Sequence, residues 1–199
     1  MDQFSILKFL SQLHLQTQYK KMQLPILQND LIKLIPLQET DFEILYAVAS
    51  DPAIWEQHPN KNRYERNIFK TFFEGAIKSH GAYLVIDVAS GEAIGSTRFY
   101  NYDSDKKSIL IGYTFLAKQC WGKGYNTAMK SLMLNHAFTF ADTVYFHVGA
   151  SNIRSQKAME KLGAIKIDEE EIAYFGEPVR LNFVYEMTKP RWNKLIKNL

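Results

Sequence analysis

The hydrophobic period of this chain changes twice, and those two changes constrain its fold more than any other feature. From Tyr64 to His80 the apolar residues Ile68, Phe69, Phe72, Phe73, Ala76 and Ile77 recur at helical spacing as one stripe, with Gly81 expected as a left-handed C-terminal cap. The pattern then becomes strand-like. Tyr83 to Val88, Ala93 to Tyr102 and Ser108 to Leu116 are β-rich runs separated by Ser90-Gly91 and by Asp103-Ser104-Asp105, which predicts an antiparallel meander. A helical period returns from about Gly124 to Phe140, with Tyr125, Ala128, Met129, Leu132, Met133, His136 and Phe140 along one side. A helix of that length calls for a crossover to a parallel strand.

The flanks complete the order. Leu31 to Leu37 reads as a first strand, Thr40 as the cap of a helix through Ala49, and Ser50-Asp51-Pro52 as its stop before a short turn carrying Trp55 and His58. Thr143 to Gly149 is a short strand, Asn152 to Leu162 a helix ended by Gly163, and two final strands flank Phe175-Gly176-Glu177-Pro178. The expected class is α+β, a mixed α/β fold with a mostly antiparallel sheet of about seven strands and about four helices. Its single strand-helix-strand crossover is where a ligand belongs, because open sheets bind beyond the carboxyl ends of parallel strands.

A chain of 199 residues suits one domain, here 22–188, preceded by an extension over 1–21 and followed by a basic tail over 189–199. Phe4, Leu7, Leu10 and His14 stand at roughly helical spacing, so the extension is read as helical or disordered. Met22 opens a natural domain start, which also fits an upstream extension or a mis-called start codon. Lys189, Arg191, Lys194 and Lys197 in the tail surround Trp192, Leu195 and Ile196 and suit a solvated terminal helix. With 24 Lys plus Arg against 21 Asp plus Glu, a formal charge of +3 is too weak a footprint for nucleic acid. Cys120 is the only cysteine, which excludes an intrachain disulfide and a thiolate-rich metal site. No apolar run approaches a membrane span. The expectation is a cytoplasmic monomer or homodimer that binds no nucleic acid, membrane or metal.

Between the strand ending at Leu116 and the helix beginning near Gly124 lies Gln119-Cys120-Trp121-Gly122-Lys123-Gly124-Tyr125-Asn126-Thr127. Gly122 and Gly124 permit positive φ and close approach, so successive amides can converge on a diphosphate, with Lys123 and the Thr127 hydroxyl beside them. The spacing is neither that of a Walker P-loop nor that of a dinucleotide fingerprint.

Gln119-x-x-Gly122-x-Gly124 at the end of a fourth strand resembles the coenzyme A pyrophosphate motif of the GNAT superfamily of N-acetyltransferases. Ile111-Gly112-Tyr113-Thr114-Phe115-Leu116, followed by Trp121-Gly122-Lys123-Gly124-Tyr125, resembles the branch that includes the ribosomal-protein N-terminal acetyltransferases RimJ and RimL. Asn152-Ile153-Arg154-Ser155, with Glu160-Lys161-Leu162-Gly163-Ala164, resembles the second coenzyme motif of that branch. The resemblance covers about residues 24 to 188 and is strongest from Ile109 to Gly163.

The resemblance implies a GNAT fold whose fourth and fifth strands splay apart to take the pantetheine arm of acetyl-CoA, the cosubstrate. Backbone groups of Phe115, Leu116 and Ala117 would bond that arm and polarise the thioester carbonyl, whose oxygen gains charge as an amine attacks. Gln119, Trp121, Gly122, Lys123, Gly124, Tyr125, Asn126 and Thr127 would surround the diphosphate, and Asn152 would bond the pantetheine amide. Ser155 lies one helical turn further on. As a residue reading, Asn152 with Ser155 equally describes a helix N-cap. Many superfamily members carry a tyrosine acid seven residues after this asparagine, where Met159 stands here, so Ser155 or a water is the candidate acid. Cys120 would face the diphosphate, far from the thioester, so direct transfer is expected.

Candidates for the base are Glu56, His58, Tyr113, His147, Tyr174 and Glu177, and candidates for acceptor contact are Trp55 and His58; Trp55 also reads as core and His147 as a satisfied buried histidine. The implied activity is acetyl transfer to a small-molecule or peptide amine. The alternative is a catalytically silent acyl-CoA-binding regulatory module of the same fold, since the loop reports affinity and not chemistry.

Overall fold

The computed structural model describes residues 24–173 and 178–197; the expected extension over 1–21 and the turn residues Tyr174, Phe175, Gly176 and Glu177 lie outside the described residues. The strands are Leu27–Gln28 (β1), Ile32–Pro36 (β2), Ala82–Asp87 (β3), Ala93–Asp103 (β4), Ser108–Leu116 (β5), Thr143–Gly149 (β6), Ile165–Ile172 (β7) and Arg180–Thr188 (β8). The α-helices among the described residues are Phe42–Ala49 (α1), Pro52–Trp55 (α2), Arg66–Lys78 (α3), Tyr125–Ala137 (α4), Ile153–Leu162 (α5) and Lys189–Ile196 (α6). One sheet runs in the order β1-β2-β3-β4-β5-β6-β8-β7. Among the described residues only the β5–β6 pair is parallel, and α4 is its crossover. The mixed, mostly antiparallel sheet expected from the sequence is therefore present. Its additional elements are a two-residue strand and a one-turn helix, both too short to express a hydrophobic period, and the tail forms the terminal helix its sequence suited.

Alternation along the strands feeds two apolar cores, one on each face. Tyr83 and Val85 join Phe99, Ile109, Ile111, Val144 and Phe146 beneath α4, whereas Ala82 and Leu84 join Leu45, Trp55, Phe69, Phe72 and Phe115 beneath α1 to α3. The aromatic stripe of α3 seen in the sequence is the centre of this second core.

Three local expectations are corrected. Thr40 lies inside a 3-10 turn, Glu39–Asp41, and the chain entry is closed instead by the Asp41 carboxylate, which accepts from Gln38 N–H at 2.8 Å. Gly81 is not the left-handed cap of α3: His80 carries the positive φ of 50°, and Gly81 is required because a Cβ there would stand 2.0 Å from the Phe99 carbonyl oxygen. The basic tail is docked as well as solvated. Thr188 caps α6 and Trp192 is buried, its indole donating to Asn135 Oδ1 at 2.7 Å. No helix of the described residues is long and apolar enough to cross a membrane.

Candidate functional site

β5 and β6 pair at Ser108–Thr143, Ile109–Val144 and Leu110–Tyr145, then part. Since β5 continues to Leu116 and β6 to Gly149, residues 111–116 and 146–149 line an open fork. A bulge produces the divergence. On the other side of β5, Arg98 faces Gly112 and Ser96 faces Phe115, so Thr97 opposes both Tyr113 and Thr114. Tyr113 takes a φ of 51°, which bends β5 away from β6. Arg98 steadies the bulge from within: its guanidinium lies 4.0 Å from the Tyr113 ring centroid and donates to Gly75 O at 3.0 Å, in the last turn of α3, and to Phe72 O at 3.4 Å, in its middle.

Past the bulge the backbone groups sort by side. Ala117 N–H donates to Ile94 O at 2.7 Å, and the Phe115 carbonyl lies so close to Gly95 that a Cβ there would meet it at 2.1 Å. Both therefore face β4. By alternation the Leu116 amide faces the fork, while its carbonyl accepts the Trp121 indole N–H at 2.9 Å. Of the three residues expected to bond a cosubstrate by main chain, Leu116 is the one whose N–H is turned toward it. The Phe115 ring belongs to the second core, 5.0 Å from Trp55.

At the fork's mouth the chain makes a 3-10 turn, Lys118–Cys120, which carries Gln119, and then the two glycines take left-handed φ values of 75° and 85° at Gly122 and Gly124. Gly124 is the N-cap of α4, and no side chain caps that end. A Cβ at either glycine would have nothing within 4 Å. The first-turn amides of α4, over Tyr125, Asn126 and Thr127, and its positive dipole end thus meet open space beside the exposed Lys123, which suits a diphosphate. Tyr125 fixes the turn from behind, its hydroxyl donating to Asp87 Oδ1 at 3.3 Å. Cys120 points into the main core, and burial pushes its thiol pKa up, opposite to what a nucleophile requires.

Across the fork, Asn152 caps α5 through Oδ1, which accepts Ser155 N–H at 3.1 Å. The capping reading is thus realised, but it uses only the oxygen; among the described residues Nδ2 has no hydrogen-bond partner. Ser155 sits half-buried in the same turn, and Met159 is core. The sequence did not single out Arg154. Its guanidinium lies 4.0 Å from the Trp121 ring centroid and donates to Ile54 O at 2.8 Å, tying loop, α5 and α2 together.

The acceptor candidates are redistributed. Trp55 is core, 2% exposed with its indole donating to Ala49 O at 2.7 Å, so it offers no surface to a ligand. His58 is held by its own turn: Nε2 lies 3.1 Å from Arg63 Nη1, and Nδ1 lies 2.9 Å from Asn60 N and 3.2 Å from Asn60 O. Burial and the Arg63 charge push its pKa down to about 3, which makes it a poor base. His147 and Tyr113 stay near one another through Tyr100, whose ring lies 6.5 and 5.0 Å from theirs, and burial lowers the His147 pKa. Glu56 is exposed, and Tyr174 and Glu177 lie outside the described residues. A groove of about 860 Å³ between α1 and α3, over Phe42, Phe73 and Ile77, contains none of the fork residues. Among the described residues no cluster of His, Cys, Asp and Glu could hold a metal ion.

Sequence reasoning also missed Lys130. It lies on the buried side of α4 with Met129, Met133, Leu134 and Ala137, and its amine donates to Thr114 Oγ1 at 2.7 Å. Its signal was present in the spacing, because Met133, Leu134 and Ala137 follow it at helical intervals of three, four and seven.

The sequence model of the Acetyltransferase (GNAT) domain matches residues 32–165. Among solved structures, a GCN5-related N-acetyltransferase from Brucella melitensis superposes with a TM-score of 0.77 at 19% identity, over 89% of this chain and 84% of that one. A spermidine N-acetyltransferase from Vibrio cholerae in complex with CoA and spermine gives 0.64 at 15% identity, over 83% and 99%. FdhC, a nucleotide-linked sugar GNAT, gives 0.64 at 16%, over 87% and 96%. At these identities the likeness establishes a shared fold. No curated protein matches the chain.

Proposed function

The chain belongs to the GNAT acetyltransferase family, and on that premise we propose that it transfers acetyl directly from acetyl-CoA to a primary amine, of a peptide N-terminus or a small molecule, in a ternary complex. The observation that carries this reading is the fork between β5 and β6, open beyond Leu110 and Tyr145, with the left-handed glycines of the α4 entry at its mouth. Bound acetyl-CoA would supply an activated thioester. The amides from Gly122 to Thr127, with Lys123, hold the diphosphate; Gln119 and Trp121 frame it. Leu116 N–H donates to oxygen that gains charge in the fork, and the Asn152 Nδ2 supplies a second donor across it. Ser155 is the candidate proton donor where Met159 has nothing to give. Glu56, Tyr113 and His147 stay as candidate bases, with Tyr174 and Glu177. The motif residues Trp121 to Tyr125 and Asn152 to Ser155 support a RimJ/RimL-like relationship and so a peptide N-terminus among the acceptors.

Thermal-shift measurement with acetyl-CoA and with adenosine diphosphate tests the site. At a hundredfold excess over Kd, acetyl-CoA should add about 2.7 kcal/mol of stability. Gly124→Asp should abolish that gain while the circular dichroism spectrum stays native, because the carboxylate repels the diphosphate, meets no neighbour, and confines the strain of a side chain at the left-handed φ of 85° to the loop. An equal shift in wild type and variant would refute the loop assignment. Free-thiol release with a panel of peptides, polyamines and amino sugars tests the chemistry; firm acetyl-CoA binding without turnover on any amine would favour the silent module.

A further inference from the structure

Lys130 has no part in the reading above, yet its place in the fold is specific. The side chain is 3% exposed. Nζ lies 2.7 Å from Thr114 Oγ1 and 3.5 Å from Thr97 Oγ1, and these hydroxyls are 2.8 Å from each other. Thr114 and Thr97 are the two sides of the bulge that opens the fork. On the opposite flank the amine lies 5.8 Å from the ring centroid of Phe146, the first β6 residue beyond the last rung at Tyr145. The amine thus sits beneath the vertex where the two strands part.

Stability does not account for a lysine in this position. An amine placed among methionines, leucine and phenylalanine loses hydration, and a methionine of similar length would fill the space without that loss. The groups facing the amine are Thr97 from β4, Thr114 from β5 and Phe146 from β6, with Met133 of its own helix behind Thr97, and none of them is charged. Burial alone lowers its pKa, to about 7, so its charge is set by the dryness of the site and by whatever charge occupies the fork.

We propose that Lys130 is a positioning residue for acetyl transfer: tethered to Thr114 beneath the vertex of the fork, its amine is held in the ammonium form by negative charge entering the fork and in turn favours that charge on a sulfur seated there. The inference rests on the fork being the acetyl-transfer site and adds the group that stabilises its leaving atom. In the transfer, nitrogen gains the acyl carbon, sulfur departs with the bonding pair, and the amine's surplus proton balances the thiolate. Lys130 keeps its own protons and acts through its charge.

The experiment uses CoA itself as the probe. Its thiol is titrated on the protein by the ultraviolet absorbance of the thiolate, in wild type, Lys130→Met and Lys130→Arg, after thermal shift has shown that each binds CoA. The bound thiol should titrate at least about one pH unit higher in Lys130→Met than in wild type, since a nearby opposite charge shifts a pKa by one to three units. Lys130→Arg, which keeps the charge, should recover most of the difference. With an amine acceptor, kcat should fall about tenfold or more in Lys130→Met with little change in KM for acetyl-CoA. Thr114→Val, which removes the tether and keeps the shape, should move the thiol the same way by less, and it serves if Lys130→Met does not fold. Coincident thiol titrations in wild type and the CoA-binding variants would overturn the proposal. Failure of wild type to bind CoA would overturn the reading of the fork beneath it.

Discussion

His58 offers a direct way to separate a structural histidine from a catalytic one. Its pKa is pushed down to about 3 from 6.5, first by burial and then by the Arg63 guanidinium, so it is neutral in the folded protein throughout the usual pH range. Above pH 6.5 both folded and unfolded chains hold it neutral, and it adds no pH dependence. Between pH 6.5 and about 3 only the unfolded chain takes up the proton, so stability falls as pH falls. At 1.36 kcal/mol per unit of pKa difference, going from pH 7 to pH 5 lowers stability by about 2 kcal/mol through this residue. Urea denaturation at a series of pH values should show that loss in wild type and its absence in His58→Gln, which keeps an acceptor for Arg63. Burial lowers His136 and His147 as well, and the comparison cancels their contributions because both are unchanged in the variant. Parallel pH dependences for the two proteins, or an imidazole that titrates near 6.5 by nuclear magnetic resonance, would refute the reasoning. The pH–rate profile should keep its shape in His58→Gln; disappearance of its acid limb would restore this histidine as the base.

Other substitutions separate capping from binding and reactivity from packing. Asn152→Asp keeps the oxygen that accepts Ser155 N–H and removes the amide donor, so unfolding stability should hold while acetyl-CoA binding weakens. Asn152→Ala should lose about 1 kcal/mol of stability in addition, measured by denaturant titration. Cys120→Ala should cost about 1 kcal/mol by removing a buried sulfur and leave kcat unchanged in the thiol-release assay, whereas abolished turnover with retained acetyl-CoA binding would indicate an acyl carrier.

Much of the scaffold was legible in the residues because its determinants are local. The strand bounds at Ser108, Leu116, Thr143 and Gly149 coincide with the runs read from the sequence, since alternation and turn residues act within a few positions. Gly122, Gly124 and Gly163 take the positive φ that their places before and after helices implied. Gly81 was misread because its demand is long-range: the Phe99 carbonyl, not a helix end, excludes a side chain there. Trp55 and His58 were grouped as a candidate acceptor cluster because adjacent polar and aromatic residues look alike whether they face a ligand or a core. Lys130 escaped because the stripe was read from apolar residues and His136 alone, among them Met129 and Met133, and a lysine at the same helical spacing was not counted.

The sequence by itself determined which segments become strands and helices, and that a glycine loop opens a helix at the end of a β-run, because backbone preference and hydrophobic period are properties of neighbouring residues. Only the tertiary structure decided that β5 and β6 part after Leu110 and Tyr145, that the Leu116 amide is turned into the gap, that the His58 nitrogens are engaged, and that an amine lies under the vertex. Each of those outcomes depends on hydration lost and partners gained from residues distant in the chain, and those become neighbours only when the two cores close on the sheet.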